Sequence, residues 1–225
     1  MSAILRLDDN QLNKSLSNTL SSASGLPDVS AISIANTLSK VYSSGASNKN
    51  TSVSLVPSHL ILLPYAVSPP SLQIQMHLRD LILTAHEGAN DLCCGSILAG
   101  QGSETDEYGD IGFWLGDGPY GDNVPEVLNA IGLECFGGDR ASASTIGRIS
   151  LTPAGLPESL WPPPPDPSLS KLKDLLSALD NKYAFFVKGG PFTGGVVLHV
   201  LLGEVKFGEE HGWGGILSIG IWTDD

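Results

Sequence analysis

The sequence predicts an α+β fold, with N-terminal helices packed on a mixed or antiparallel sheet and a C-terminal antiparallel β-meander. Three observations lead there. Apolar residues recur at helical spacing within the first fifty positions; β-branched and aromatic residues concentrate after residue 183, between paired glycines; and the elements in between do not alternate strand with helix. With 225 residues, 41 % of them hydrophobic and 16 % charged, the chain is long enough to bury one core. It divides into an N-terminal helical hairpin or arm at 1–50 and a main α+β domain at 51–225, with a proline-rich spacer at 161–167.

Leu12, Leu16 and Leu20 stand four apart behind Asp8 and Asp9, which predicts an amphipathic helix over 8–22 with a carboxylate cap. Pro27 and Asp28 open a second helix, Val29, Ile32, Ala35, Leu38, Val41 and Tyr42 mark its apolar face, and Gly45 ends it. A polar loop, SSGASNKNTS, follows. From Val53 to Val67 the chain turns apolar between Pro57 and Pro64, predicting one or two buried strands. Residues 72–87 alternate like a strand at first and then follow a helix through Leu78, Leu81, Ile82 and Ala85. Their length decides for helix, closed by Gly88.

Residues 91–99 and Ile111–Leu115 are expected to be strands, and Pro125 to open a short helix that Gly132 ends. A further strand is expected at 144–152. The run WPPPPDP removes successive backbone donors and favours an extended spacer. Ser168 then stands where a helix striped by Leu169, Leu172, Leu175, Leu176 and Leu179 needs an N-cap. Strands at Tyr183–Val187, Val196–Val205 and Ile216–Trp222 complete the meander, with glycines at 189–190, 194–195 and 214–215 as its bends.

Twelve basic residues against 24 acidic ones give a formal net charge of -12. Such a field repels phosphate backbones and anionic lipid, because nucleic-acid binding draws on Lys and Arg replacing counterions. A small molecule or a basic protein fits it better as a partner than nucleic acid or membrane. The N-terminus has no signal-peptide core, and the three cysteines form neither a disulfide framework nor a CxxC zinc spacing, so the expected compartment is the cytosol.

The chemistry-bearing stretch is 104–126, ETDEYGDIGFWLGDGPYGDNVPE. Its carboxylates Glu104, Asp106, Glu107, Asp110, Asp117 and Asp122 stand among five glycines and beside Tyr108, Trp114 and Tyr120. Acids with an apolar wall make a polar site suited to binding or acid–base chemistry. Gly116-Asp117-Gly118-Pro119-Tyr120-Gly121 matches GxGxxG, but Asp117 and Asp122 oppose a pyrophosphate, Pro119 removes a donor, and Pro125 delays the helix. A glycine-rich turn accounts for it better. No organic cofactor is expected. A divalent cation is the one ligand of that kind the acids could take, with Glu104, Asp106 and Asp110 as its candidates, although the spacing departs from the DxDxDG calcium loop.

Among the five histidines, His211 in GEEHGWGG stands beside Glu209 and Glu210 and before Trp213, free to act as acid or base. His199 lies in an apolar strand and reads as a core residue. His77 and His86 are nine apart, which is not the i, i+4 pair of HExxH. Ser168–Lys171 fits SxxK, but helix capping explains the serine, and no GxSxG or P-loop occurs.

Two functions remain open. One is a binding or regulatory protein engaging a basic protein partner, a glycan or a small neutral or cationic ligand, with Trp114, Tyr120, Trp213, Glu209 and Glu210 as binding residues. The alternative is a small cofactor-independent hydrolase, lyase or isomerase, with Asp110 and Asp117 as acid and base and His211 as proton shuttle.

Overall fold

The computed structural model describes residues 4–7, 15–43, 53–64, 66–133, 144–160, 167–189, 192 and 194–222. In chain order these form β1 (Leu5–Arg6), α1 (Ser15–Ser24), α2 (Asp28–Ser43), β2 (Val53–Val56), β3 (Ile61–Pro64), α3 (Leu72–Asp91), β4 (Ile111–Gly116), α4 (Val124–Ala130), β5 (Ser144–Ile149), α5 (Pro167–Ser177), β6 (Asp180–Gly189), β7 (Val196–Phe207) and β8 (Glu210–Ile221). The class is α+β. The strands make one mixed sheet of order β1-β2-β3-β4-β8-β7-β6-β5.

β3 and β4 pair in parallel, and every other described pairing is antiparallel. Parallel neighbours need a crossover connection, and α3 supplies it. This settles the ambiguous segment after residue 72 as helix. Gly88 does not close that helix. It sits inside α3 facing α5, where an added Cβ would lie 3.1 Å from Leu169, and the helix runs on to Asp91.

The long strands at the C-terminal end carry the sheet. Residues 196–203 of β7 are buried without a break, which requires cover on both faces and explains why the sequence there is continuously apolar rather than alternating. α3 lies over one face, with Ile82 against Gly112 and Leu78 near Gly214. Leu169, Leu172 and Leu176 give α5 its buried stripe. Leu16, Leu20, Ile34 and Leu38 bring α1 and α2 into the same hydrophobic cluster as the sheet. Polar ties fix their positions: Arg79 of α3 donates to the Ser24 carbonyl at 2.8 Å, and the Tyr42 hydroxyl donates to the Ile131 carbonyl at 3.0 Å.

Several expectations need correction. The expected strand at 91–99 is absent: Asp91 ends α3, and 92–99 are turns and bends. The Ser96 hydroxyl accepts from the backbone N–H groups of Leu98 and Ala99 at 3.0 and 3.1 Å, a local alternative to sheet pairing. Gly214 and Gly215 are interior to β8 rather than a bend. A Cβ on Gly215 would collide with the Leu201 carbonyl, so glycine there permits close strand packing. The bend is Gly208–Glu209, a two-residue hairpin loop between paired Phe207 and Glu210, with Gly208 at φ 63° as a II′-type turn requires. Ser168 is the second residue of α5, and its hydroxyl donates to Asp91 Oδ2 at 2.7 Å, tying α5 to the end of α3. β1 was not foreseen. Asp8, Asp9, the loop 44–52 and most of the proline spacer lie outside the described residues.

Candidate functional site at the β7–β8 hairpin

Strand β4 divides the acidic stretch in two. Residues 104–110 precede it and 117–122 follow it, and six extended residues at about 3.3 Å each put roughly 20 Å between the two groups. Asp110 and Asp117 therefore cannot serve one substrate as an acid and base pair.

At the near end of β4, Asp110 is fully buried. The Ser96 hydroxyl donates to its Oδ1 at 2.7 Å and the Ile97 N–H to its Oδ2 at 2.8 Å, while its own carbonyl meets His86 Nε2 at 2.9 Å. Beside it the Gly109 carbonyl accepts from Thr37 of α2 at 2.7 Å and from Ser218 of β8 at 3.1 Å. Burial pushes the Asp110 carboxyl above its ordinary range, against the opposing pull of His86 and the donors from the 96–98 turn, and burial pushes His86 down. These contacts join four elements and leave the carboxylate no access to a ligand. Cys94 nearby is held by burial at about 12, an inert thiol.

Glu104 and Asp106 stand at that same end, the Glu104 N–H donating to the Ile221 carbonyl at 2.9 Å. Among the described residues, no group of three or more His, Cys, Asp or Glu side chains is arranged to hold a metal ion.

At the far end the geometry is different. Asp117, just past β4, reaches the β7–β8 hairpin, with its Oδ2 3.9 Å from His211 Nε2. Glu204, Lys206 and Glu209 join them around an open groove of about 480 Å³ floored by Trp213. Register explains the assembly: β7 and β8 pair Glu204 with Trp213 and Lys206 with His211, so all four side chains share one face. Gly212 between them lies against Trp114 and the Gly116 backbone, where a Cβ would come within 2.6 Å of the indole.

Among the described residues lining the groove, three carboxylates, Asp117, Glu204 and Glu209, face one ammonium, Lys206. Lys206 bonds Glu204 at 3.0 Å and Asp180 at 3.4 Å. That hydrogen bond holds Glu204 below its usual range, and the same bond raises Lys206. Asp117 and His211 are open to water, 78 % and 58 % exposed at their side chains.

The remaining expected binding residues stand around the groove rather than in it. Glu210 accepts from the Ser71 N–H with both oxygens at 3.0 Å, fixing the start of α3 to the hairpin, where a carboxylate also suits the helix dipole. Trp114 is buried beneath β8. Tyr120 packs over Gly118, and its carbonyl accepts from the Tyr183 hydroxyl at 2.5 Å. His211 is the second residue of β8. Glu204 and Lys206 escaped the sequence reading, although a charged pair two apart at the end of an apolar strand is the signal that marks them.

Comparison with known protein families, curated proteins and solved structures finds no match for this chain. Among the described residues, no helix is long and apolar enough to cross a membrane.

Proposed function

We propose that this chain is a binding protein whose hairpin groove takes a cationic group, foremost a Lys or Arg side chain of a basic protein partner. One observation carries the reading: Asp117, delivered from the end of β4, faces Glu204 and Glu209 across a groove floored by Trp213. Carboxylates at a wet rim steer a cation and add modest affinity, and the chain's net charge of -12 works in the same direction over longer range. The same charge favours a basic partner over nucleic acid, and we place the protein in the cytosol on its cysteine usage. A divalent cation could join the acids of this groove only with water completing its shell.

The proximity of Asp117 and His211 supports a second reading, acid–base catalysis. At 3.9 Å the pair is beyond hydrogen-bond reach, and both groups are solvated, so the binding reading comes first.

The test is a two-dimensional amide titration of the full chain with an arginine- and lysine-rich peptide, spermine, a neutral trisaccharide and an acidic peptide. Cationic ligands should shift the amides of 116–118 and 208–213 saturably. Shifts confined to the trisaccharide would make the groove a glycan site, and no response there to millimolar peptide would remove the proposal.

A further inference from the structure

A second cavity lies on the opposite face of β7 from the hairpin groove, because His199 is odd-numbered in a strand whose even positions Glu204 and Lys206 face that groove. Register sets Gly147, Phe186, His199 and Ser218 in one row across β5, β6, β7 and β8. Gly147 lets the Phe186 ring lie across β5, since any Cβ there would collide with it. Beyond the end of β8, Trp222 turns back over Gly220 and meets the His199 ring at 4.9 Å between centroids, tilted by 43°. These rings and the 98–102 turn enclose about 430 Å³. Ligand sites for small molecules span roughly 300–1,000 Å³ and are mostly apolar with a few placed polar groups.

His199 is the placed polar group. It is only 6 % exposed, and its Nδ1 has no hydrogen-bond partner among the described residues. Burial pushes its ring down to about 4, which a hydrogen bond to the Val197 backbone opposes only in part, so at neutral pH one ring nitrogen carries the proton and the other a lone pair. Among the described residues, the one charged residue lining the cavity is Arg148, and register with Phe185 turns its side chain to the opposite face of the sheet. It is already paired, 2.6 Å from Asp122 and 4.6 Å above the Tyr183 ring. The wall therefore offers flat aromatic surface and a neutral hydrogen-bonding edge, with no free charge.

We infer that this cavity binds an uncharged one- or two-ring heteroaromatic molecule, which packs on Trp222 and Phe186 and completes the hydrogen bonding of His199. A hydrocarbon would leave the imidazole unpartnered, and a non-aromatic alcohol would not stack on Trp222 and Phe186. A charged one would lose its hydration without a counter-ion. The inference is independent of the cationic groove, which lies on the other face of the sheet.

The experiment titrates the full-length chain with indole, benzimidazole and adenine, with cyclohexanol as the non-aromatic control, and follows the Trp222 indole N–H and the amides of Gly100 and Gly102. Trp222→Phe identifies the indole signal. At least one heteroaromatic should shift these resonances saturably below millimolar concentration, while the groove amides at 208–213 stay still. His199→Phe keeps the ring and removes the hydrogen bond, and it should weaken binding about tenfold or more. Ser159→Trp, made at an exposed position on the cavity rim, should abolish binding and carries the test should His199→Phe fold poorly. Equal affinity in either variant, or no response to any heteroaromatic, would overturn the inference and leave His199 a core residue alone.

Discussion

Asp110 and Asp117 are seven residues apart in one acidic stretch, yet they live in opposite environments. Asp110 is wholly buried and receives a hydroxyl and a backbone N–H, while Asp117 projects into water with a histidine 3.9 Å away. The difference comes from the strand between them. β4 is central and covered, so whatever precedes it enters from the helical layer and whatever follows it leaves at the hairpin edge. Residue type alone therefore does not separate a structural acid from a functional one; the neighbours brought in from distant sequence do. His199 and His211 repeat the contrast on adjacent strands, one buried and neutral, the other exposed beside carboxylates.

If this contrast is right, the largest effect should follow from removing the buried acid. Asp110→Ala leaves Ser96 and the Ile97 N–H without their acceptor and should cost about 3–5 kcal/mol, seen as a lower denaturation midpoint or failure to fold. A midpoint equal to the parent's would place the acid outside the structural network. Leu201→Ala is the apolar control. Leu201 is fully buried in β7, and its truncation should cost about 2–5 kcal/mol.

The histidines sharpen the comparison through pH. His199 is held at about 4 instead of 6.5, so the folded state resists a proton that the unfolded chain accepts. The stability contributed by the neutral ring is complete above 6.5 and is lost as pH falls towards 4, about 3 kcal/mol in all. Burial lowers His77 and His86 as well, which adds loss in the same direction. Denaturant titrations of the parent and His199→Phe at pH 7 and pH 4.5 should show the variant losing less stability on acidification. Parallel losses would mean that the ring is not shielded.

Much of the scaffold was legible. The apolar stripes of α3 and α5 and the β-branched and aromatic runs of β6 and β7 follow directly from helical and strand periods, whereas α2 buries Ala31, Ile34, Leu38 and Val41 and leaves the expected Val29 and Ile32 exposed. Ile111–Leu115 was legible as a strand too. Treating the acids on either side of it as one site overlooked the 3.3 Å rise per residue that separates them. The turn at 92–99 escaped because its determinants are hydrogen bonds donated to the Ser96 hydroxyl, which leave no periodic signature. The anchoring of Glu210 on Ser71 joins residues 139 apart and has no local signal. The groove was half visible: Asp117, Glu209, His211 and Trp213 carried composition cues, whereas Glu204 and Lys206 join them only through the register of β7 on β8.

Changes at the exposed end should hardly move stability. Asp117→Asn and Glu209→Gln should each stay within about 0.5 kcal/mol of the parent, as surface substitutions do. A larger change would make the groove part of the scaffold. Under the catalytic reading, Asp117→Asn would lower turnover by roughly 10²–10⁴-fold at unchanged stability.

The affinity of a lysine- and arginine-rich peptide for the parent and for Asp117→Asn, measured calorimetrically at low and at physiological salt, tests the binding claim most directly. The account predicts weaker binding by the variant, a gap that is widest at low salt and narrows as screening sets in, and an unchanged melting temperature. Equal affinity of parent and variant at low salt would contradict it.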